Sequence, residues 1–248
     1  MKSGIIYEGP SLIDGSPIVA IATLSGANRK TGGAVQTYIL RADVAPLEAS
    51  KTGADVSICG ACPLRGTPTD DPARKQAKDR RCYVNLGQGP MTVYKAFSRG
   101  AYADARGHAK TAEIGTGRFV RLGTYGDPAA VPSYVWDSLL SRAESHTAYT
   151  HQSSAPGADA RPDIMMISAD NEADARNAWA NGARTFRVVN SVGDVIKGAE
   201  ILCPASKEAG ARVQCNACRL CGGAAVRAKS VAIVDHGPVA RAKRRRAA

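Results

Sequence analysis

Two apolar runs near the start of the chain, residues 17–24 and 34–40, are rich in β-branched side chains and flank a basic, glycine-bearing segment at 25–33. They predict a β-hairpin with a long loop. The spacing of Val93, Tyr94 and Phe97 predicts a helix from residue 89 or 90 to 98, and the Pro-, Asp-, Lys- and Arg-rich residues 63–81 predict a surface insertion. From residue 118 onward the pattern changes. Short apolar stretches at 119–122, 147–150, 164–167, 185–189, 200–202 and 230–234 predict strands. Between them, helices are predicted at 132–143, on the spacing of Val135, Trp136, Leu139 and Leu140, and at 172–181, stopped by Gly182. Ser133 and Asn171 read as their starts, and the apolar spacing makes Trp136 and Trp179 core residues. Strands alternating with helices imply parallel pairing. The expected fold is therefore α/β, a partial or degenerate parallel barrel-like sheet with an N-terminal hairpin, one domain over residues 1–237 followed by a basic disordered tail at 238–248.

The residues that follow each predicted strand carry chemistry: Gly126-Asp127, His151, Ser168 and Asp170, Cys203, and Asp235-His236. In parallel α/β folds the loops at the carboxyl ends of the strands converge on the active site. Asp127, His151 and His236 are accordingly the catalytic candidates, the imidazoles as general bases or metal ligands. Strand ends also turn polar where they meet water, and Asp127 before Pro128 suits a turn or helix start. His108 lies in a polar Gly/Ala-rich stretch and His146 in a turn before a strand. The chain contains neither a nucleophile elbow with a Ser-His-Asp order nor an H-E-x-x-H motif.

Seven cysteines form two tight sets, Cys59-x2-Cys62 with Cys82, and Cys203 with Cys215-x2-Cys218-x2-Cys221. Thiolates spaced like this point to metal. The second set, three within seven residues and a fourth twelve positions upstream, matches the way one chain wraps an iron–sulfur cluster. Zinc is the alternative, although it more often takes ligands in pairs. The first set offers three thiolates, with a cofactor held by Cys59, Cys62 and Cys82 or a structural ion completed by a non-cysteine ligand such as His151 or His236. Disulfides fit poorly, because seven is odd, the first twelve residues contain no apolar signal segment, and 248 residues can bury a core without staples.

Net charge is +11, and five of the positive charges, Arg241, Lys243, Arg244, Arg245 and Arg246, lie in the last eight residues, leaving about +6 on the body. With Arg29 and Lys30 in the hairpin loop, these residues are candidate phosphate contacts to nucleic acid. The loop lacks the G-x-x-x-x-G-K-[ST] order of a phosphate-binding loop, and at 5% aromatic residues the chain is poor in base-stacking platforms. No apolar stretch approaches the length of a membrane span, so a cytoplasmic protein is expected, with no signal for its oligomeric state.

A further set of pieces occurs in order: Asn28-x-Lys30-Thr31-Gly32 before a strand, Cys59-x2-Cys62-Pro63, Cys82-Tyr83, Val120-Arg121-Leu122-x3-Gly126-Asp127, Trp136, Tyr149-Thr150-His151, and Cys215-x2-Cys218-x2-Cys221 before a strand that ends in His236. Spanning about residues 17–237, they resemble the phage proteins of the "gene product eighty-eight" type, and more distantly the radical-SAM superfamily. The resemblance implies a phage or prophage origin in a bacterial host, a barrel-like α/β fold and a cysteine-bound cofactor, without supplying a reaction. Radical-SAM enzymes hold a four-iron cluster through C-x3-C-x2-C and leave one iron open to S-adenosylmethionine. Here the first set is spaced C-x2-C-x19-C.

Overall fold

A computed structural model describes residues 2–24, 33–210 and 213–236. The expected nucleic-acid contacts at Arg29 and Lys30, and those from Arg241 to Arg246, lie outside the described residues. Strands β1 (Gly4–Pro10), β2 (Pro17–Leu24) and β3 (Val35–Arg41) form an antiparallel meander, and the β2–β3 pair is the predicted hairpin. Short β4 (Ala103–Asp104) runs parallel to β1 at one edge. On the other side β3 pairs parallel with β5 (Phe119–Tyr125), and β5 with β6 (Ser145–Thr147). The first sheet thus has the order β4-β1-β2-β3-β5-β6.

One residue beyond β6 the same segment becomes β7 (Tyr149–Thr150) and starts a second sheet. With β8 (Met166–Ala169), β9 (Thr185–Val189), β10 (Glu200–Leu202) and β11 (Ser230–Val234) it has the order β10-β11-β9-β8-β7, every pair parallel. Ala148 is the joint. Its N–H donates to the Cys221 carbonyl at 3.1 Å and its own carbonyl accepts from Met166 N–H at 3.0 Å. The molecule is therefore mixed α/β with parallel strands and an N-terminal hairpin, and among the described residues the sheets do not close into a barrel.

Among the described residues seven α-helices pack on these sheets: α1 (Pro46–Thr52), α2 (Val56–Cys59), α3 (Gly89–Ser98), α4 (His108–Gly115), α5 (Ser133–Leu140), α6 (Glu172–Ala180) and α7 (Cys215–Cys218). The main core lies around β2, whose residues Ile18 to Ala22 have no exposed surface and read as the continuous apolar run of a strand covered on both faces. Trp136 is fully buried there, its indole N–H donating to the Pro128 carbonyl at 2.9 Å. Trp179 is only partly buried and ties α6 to the second sheet through Thr185 and Ser230.

The structure departs from the sequence expectation at further places. β1 has only Ile5 and Ile6 as consecutive large apolar residues and ends in Gly9-Pro10, so alternation does not reveal it. α4 buries Ile114 as its one large apolar residue, the rest of its buried face being Thr111, Ala112 and Gly115, and a methyl group on Gly115 would run into the Leu139 carbonyl of α5. The strand expected at 164–167 begins two residues later, since Met165 N–H closes a turn onto the Arg161 carbonyl. Ser133 does start its helix, and its N–H is satisfied at 2.8 Å by Asp159, a partner that local sequence cannot show. Asn171 does cap α6, accepting from Asp174 N–H at 2.9 Å.

Candidate functional site

A cavity of about 530 Å³ opens where the parallel strands end. Gly123 and Thr124 of β5, Thr147 of β6, His151 after β7, Asp170 after β8, Asn190 after β9, and Asp235 and His236 after β11 all line it. One residue from each cysteine set, Cys82 and Cys215, is also on its wall. Of the expected strand-end groups, His151, Ser168, Asp170, Asp235 and His236 converge here, while Asp127 and Cys203 do not. The parallel register makes this so, because each loop leaves the sheet at the same edge.

The first set is built on the loop after α2. Gly60 takes φ +50° there, and a Cβ at that position would collide with the Gln152 side chain. That amide closes on the loop from both sides, donating Nε2 to the Cys59 carbonyl at 2.9 Å and accepting from Ala61 N–H at 3.2 Å. Arg65 braces the opposite side, donating to the Gly60 carbonyl at 2.9 Å and pairing with buried Asp55 at 2.6 Å. Cys59, Cys62 and Cys82 lie close enough for their charges to interact. Burial pushes the Cys59 thiol well above its ordinary range, helped by Asp55 and the other two cysteines, and it raises Cys82 as well. His151 is next to them. Burial alone would lower its pKa, but hydrogen bonds to Asp170 and Cys62, with their charges, outweigh this and hold it up to about 10. Its Nε2 is 3.5 Å from Asp170.

Asp127 is not on the cavity wall. It is buried at 7% exposure, and its two carboxylate oxygens are spent on backbone: Oδ1 accepts from Ala129 N–H at 3.0 Å and Oδ2 from His151 N–H at 2.8 Å. Its own N–H donates to the Ile58 carbonyl at 2.6 Å. Grouped by sequence with the catalytic candidates, it lies in the structure as a knot joining the ends of β5 and β7 to the first cysteine loop. Burial raises its pKa against these hydrogen bonds. Asp127→Asn leaves one oxygen for two buried N–H donors, so unfolding in urea is expected to begin earlier, by about 1–3 kcal/mol of stability.

The second set closes on itself. Cys203 follows β10, with its N–H on the Ala232 carbonyl at 2.7 Å. Cys215 and Cys218 sit at the two ends of α7, and Arg219 in the left-handed region, φ +57°, turns the chain back so that Cys221 faces them. All four cysteines line one small cavity whose other walls include Phe119, Tyr149, Phe186 and Val231. Burial drives the Cys221 thiol up to about 12, a hydrogen bond with Tyr149 acts against this, and the three other cysteines raise it further. None of the seven cysteines forms a disulfide. As the side chains stand, no three His, Cys, Asp or Glu groups among the described residues already close round a single ion position.

Family models, curated proteins and solved structures yield no match to this chain. What the site can do must be read from its own residues. Buried thiols crowded together repel one another once ionised, and a bound cation removes both that repulsion and the cost of burial. Both sets have the chemistry for this, the second with four sulfurs and the first with three plus an imidazole.

Three residues of the site have roles that sequence reasoning does not assign. Gln152 belongs to no motif, and Arg121 and Tyr83 occur in the ordered pieces without a role, although an arginine inside the apolar run of β5 is a signal in itself. Tyr83 hydrogen-bonds Asp235 at 2.8 Å and packs its ring 5.1 Å from that of His236, latching the Cys82 segment across to the end of β11. His236 also bonds the Val234 carbonyl at 3.0 Å. His146, half-buried on the Ile164 carbonyl, and His108, bonded to Ser138, do not line the cavity.

Proposed function

We propose that this chain is an iron–sulfur protein that acts by redox or radical chemistry on a molecule held between its two cysteine sets. The observation that carries this reading is that Cys82 and Cys215, one from each set, share a cavity with His151, Asp170 and His236 at the carboxyl ends of the parallel strands. Cys203, Cys215, Cys218 and Cys221 would hold one cluster with four thiolates. Cys59, Cys62 and Cys82 would hold another, with His151 in reach of the remaining position. Such clusters supply single electrons over a wide range of potentials. The protein's own groups do the rest: Asp127 and Gln152 hold the first loop on the strand ends, and Asp170 keeps the His151 ring oriented beside Cys62.

The resemblance to the "gene product eighty-eight" type of phage proteins, and to radical-SAM enzymes, agrees with this reading and with a place in the cytoplasm of a bacterial host. None of the described helices is long and apolar enough to cross a membrane. Purification without oxygen, followed by iron, zinc and acid-labile sulfide analysis and an absorption spectrum, tests it. Iron with sulfide and a broad band near ~400 nm is the expected result, as thiolate-bound clusters give, and it would justify titrating S-adenosylmethionine against the first set. Zinc without sulfide or colour would replace the reading with that of a zinc-stapled protein. Its affinity for nucleic acid, if the basic tail binds phosphate, would then fall steeply with salt.

A further inference from the structure

We propose that the cavity takes a small organic anion, a carboxylate or phosphate ester with an apolar body, and that the Arg121 guanidinium binds its anionic head. This names the substrate class of the site described above and rests on that reading for the chemistry that follows binding, though not for the binding itself.

Among the arginines in or beside the sheet strands, Arg121, Arg184 and Arg187 are not equivalent. Arg184 donates to three carbonyls, those of Leu220, Gly223 and Lys229, at 2.5–3.0 Å, although its Nε has no partner. Arg187 forms a two-pronged pair with Glu200 at 2.6 and 2.8 Å. Arg121 has neither arrangement. It is half-buried on the cavity wall, its Nε is buried with no hydrogen-bond partner, and among the described residues it has no ion pair.

The acids that share the wall are committed elsewhere, Asp170 to His151 and Asp235 to the Tyr83 hydroxyl. A buried Nε–H without an acceptor is costly, and the guanidinium fork matches the paired oxygens of a carboxylate or phosphate. Phe186, Val188 and Ile233 make part of the cavity wall apolar, which sets the character of the rest of the molecule. An anion in that position would share the cavity with Cys82 and Cys215.

The test is calorimetric titration of the full chain with benzoate, phenyl phosphate and neutral benzyl alcohol, with iron and sulfide assayed on the same sample. One or both anions are expected to bind about tenfold or more tightly than benzyl alcohol, and Arg121→Met is expected to lose at least about tenfold of that affinity, as removal of a charged hydrogen-bonding partner predicts. Arg74→Met, at an exposed arginine paired with Asp71, should leave binding unchanged. Which of the two anions binds separates a carboxylate from a phosphate. Should Arg121→Met fail to fold, labelling of Arg121 by phenylglyoxal in the unaltered protein is expected to slow severalfold when benzoate or phenyl phosphate saturates it.

The proposal is overturned if neither anion binds the unaltered protein, if Arg121→Met binds as well as the parent, or if neither anion protects Arg121. Anion binding through Arg121 in a protein that carries zinc and no sulfide supports this inference and removes the iron–sulfur reading. Iron and sulfide without anion binding does the reverse.

Discussion

Cys218→Ser is expected to strip one metal centre from the protein and leave the other loaded, so that metal content falls by roughly half, since a serine hydroxyl does not ionise to a ligand as a thiol does. The geometry explains why a single atom matters so much. Cys215 and Cys218 are three residues apart on α7 and therefore share a face, and the reversal at Arg219 brings Cys221 to the same cavity as Cys203. None of the other three can move into the missing place without unwinding that turn. The fold itself should persist, because the four-residue helix buries none of its residues. Cys59→Ser is the matching variant on the other side and should remove only the other half. Full metal retention in Cys218→Ser, measured by metal analysis of protein with unchanged circular dichroism, would sink the ligand assignment.

The second large effect is on stability. Arg187 and Glu200 meet across β11, where small Ala232 stands opposite Arg187 and leaves room for the guanidinium to pass. Their side chains are 8% and 0% exposed, and Glu200 also accepts from Ile196 N–H at 2.9 Å while Arg187 donates to the Asp194 carbonyl at 2.7 Å. Glu200→Gln leaves a buried cation without its charge, and a loss of about 3–5 kcal/mol is expected, read from the urea midpoint. Arg187→Met combined with Glu200→Gln should cost less than the two single changes together, because the second change removes a charge that the first has stranded. Additive losses would mean that the pair contributes nothing as a pair.

Much of this was legible in the sequence wherever a pattern is local. The hairpin of β2 and β3, the helices α3, α5 and α6, and the polar residues after each parallel strand follow from periodicity and from the rule that such loops converge. The grouping of the cysteines follows from spacing, and the four of the second set line one cavity. Contacts made across long stretches of chain were not legible. The role of Asp127 depends on two N–H groups, one of them on His151, twenty-four residues on. Gln152 reaches ninety-one residues back to Ala61, and nothing in a glutamine beside a histidine announces this. Arg121 and Arg187 look alike in the sequence, each an arginine in an apolar strand. Only the strand order tells them apart, because it places Glu200 within reach of one and an open cavity beside the other.

The order of strands in the second sheet has a consequence for how the protein is made. β11 follows every other strand in the chain, yet it lies between β9 and β10 and is buried along its whole length. Until the ribosome has released it, β10 has no neighbour, Cys203 lacks the Ala232 carbonyl that anchors it, and Tyr83 lacks the aspartate onto which it latches. Both cysteine sets therefore acquire their final surroundings in one late step. The clusters proposed above would therefore be loaded only once β11 has joined its sheet.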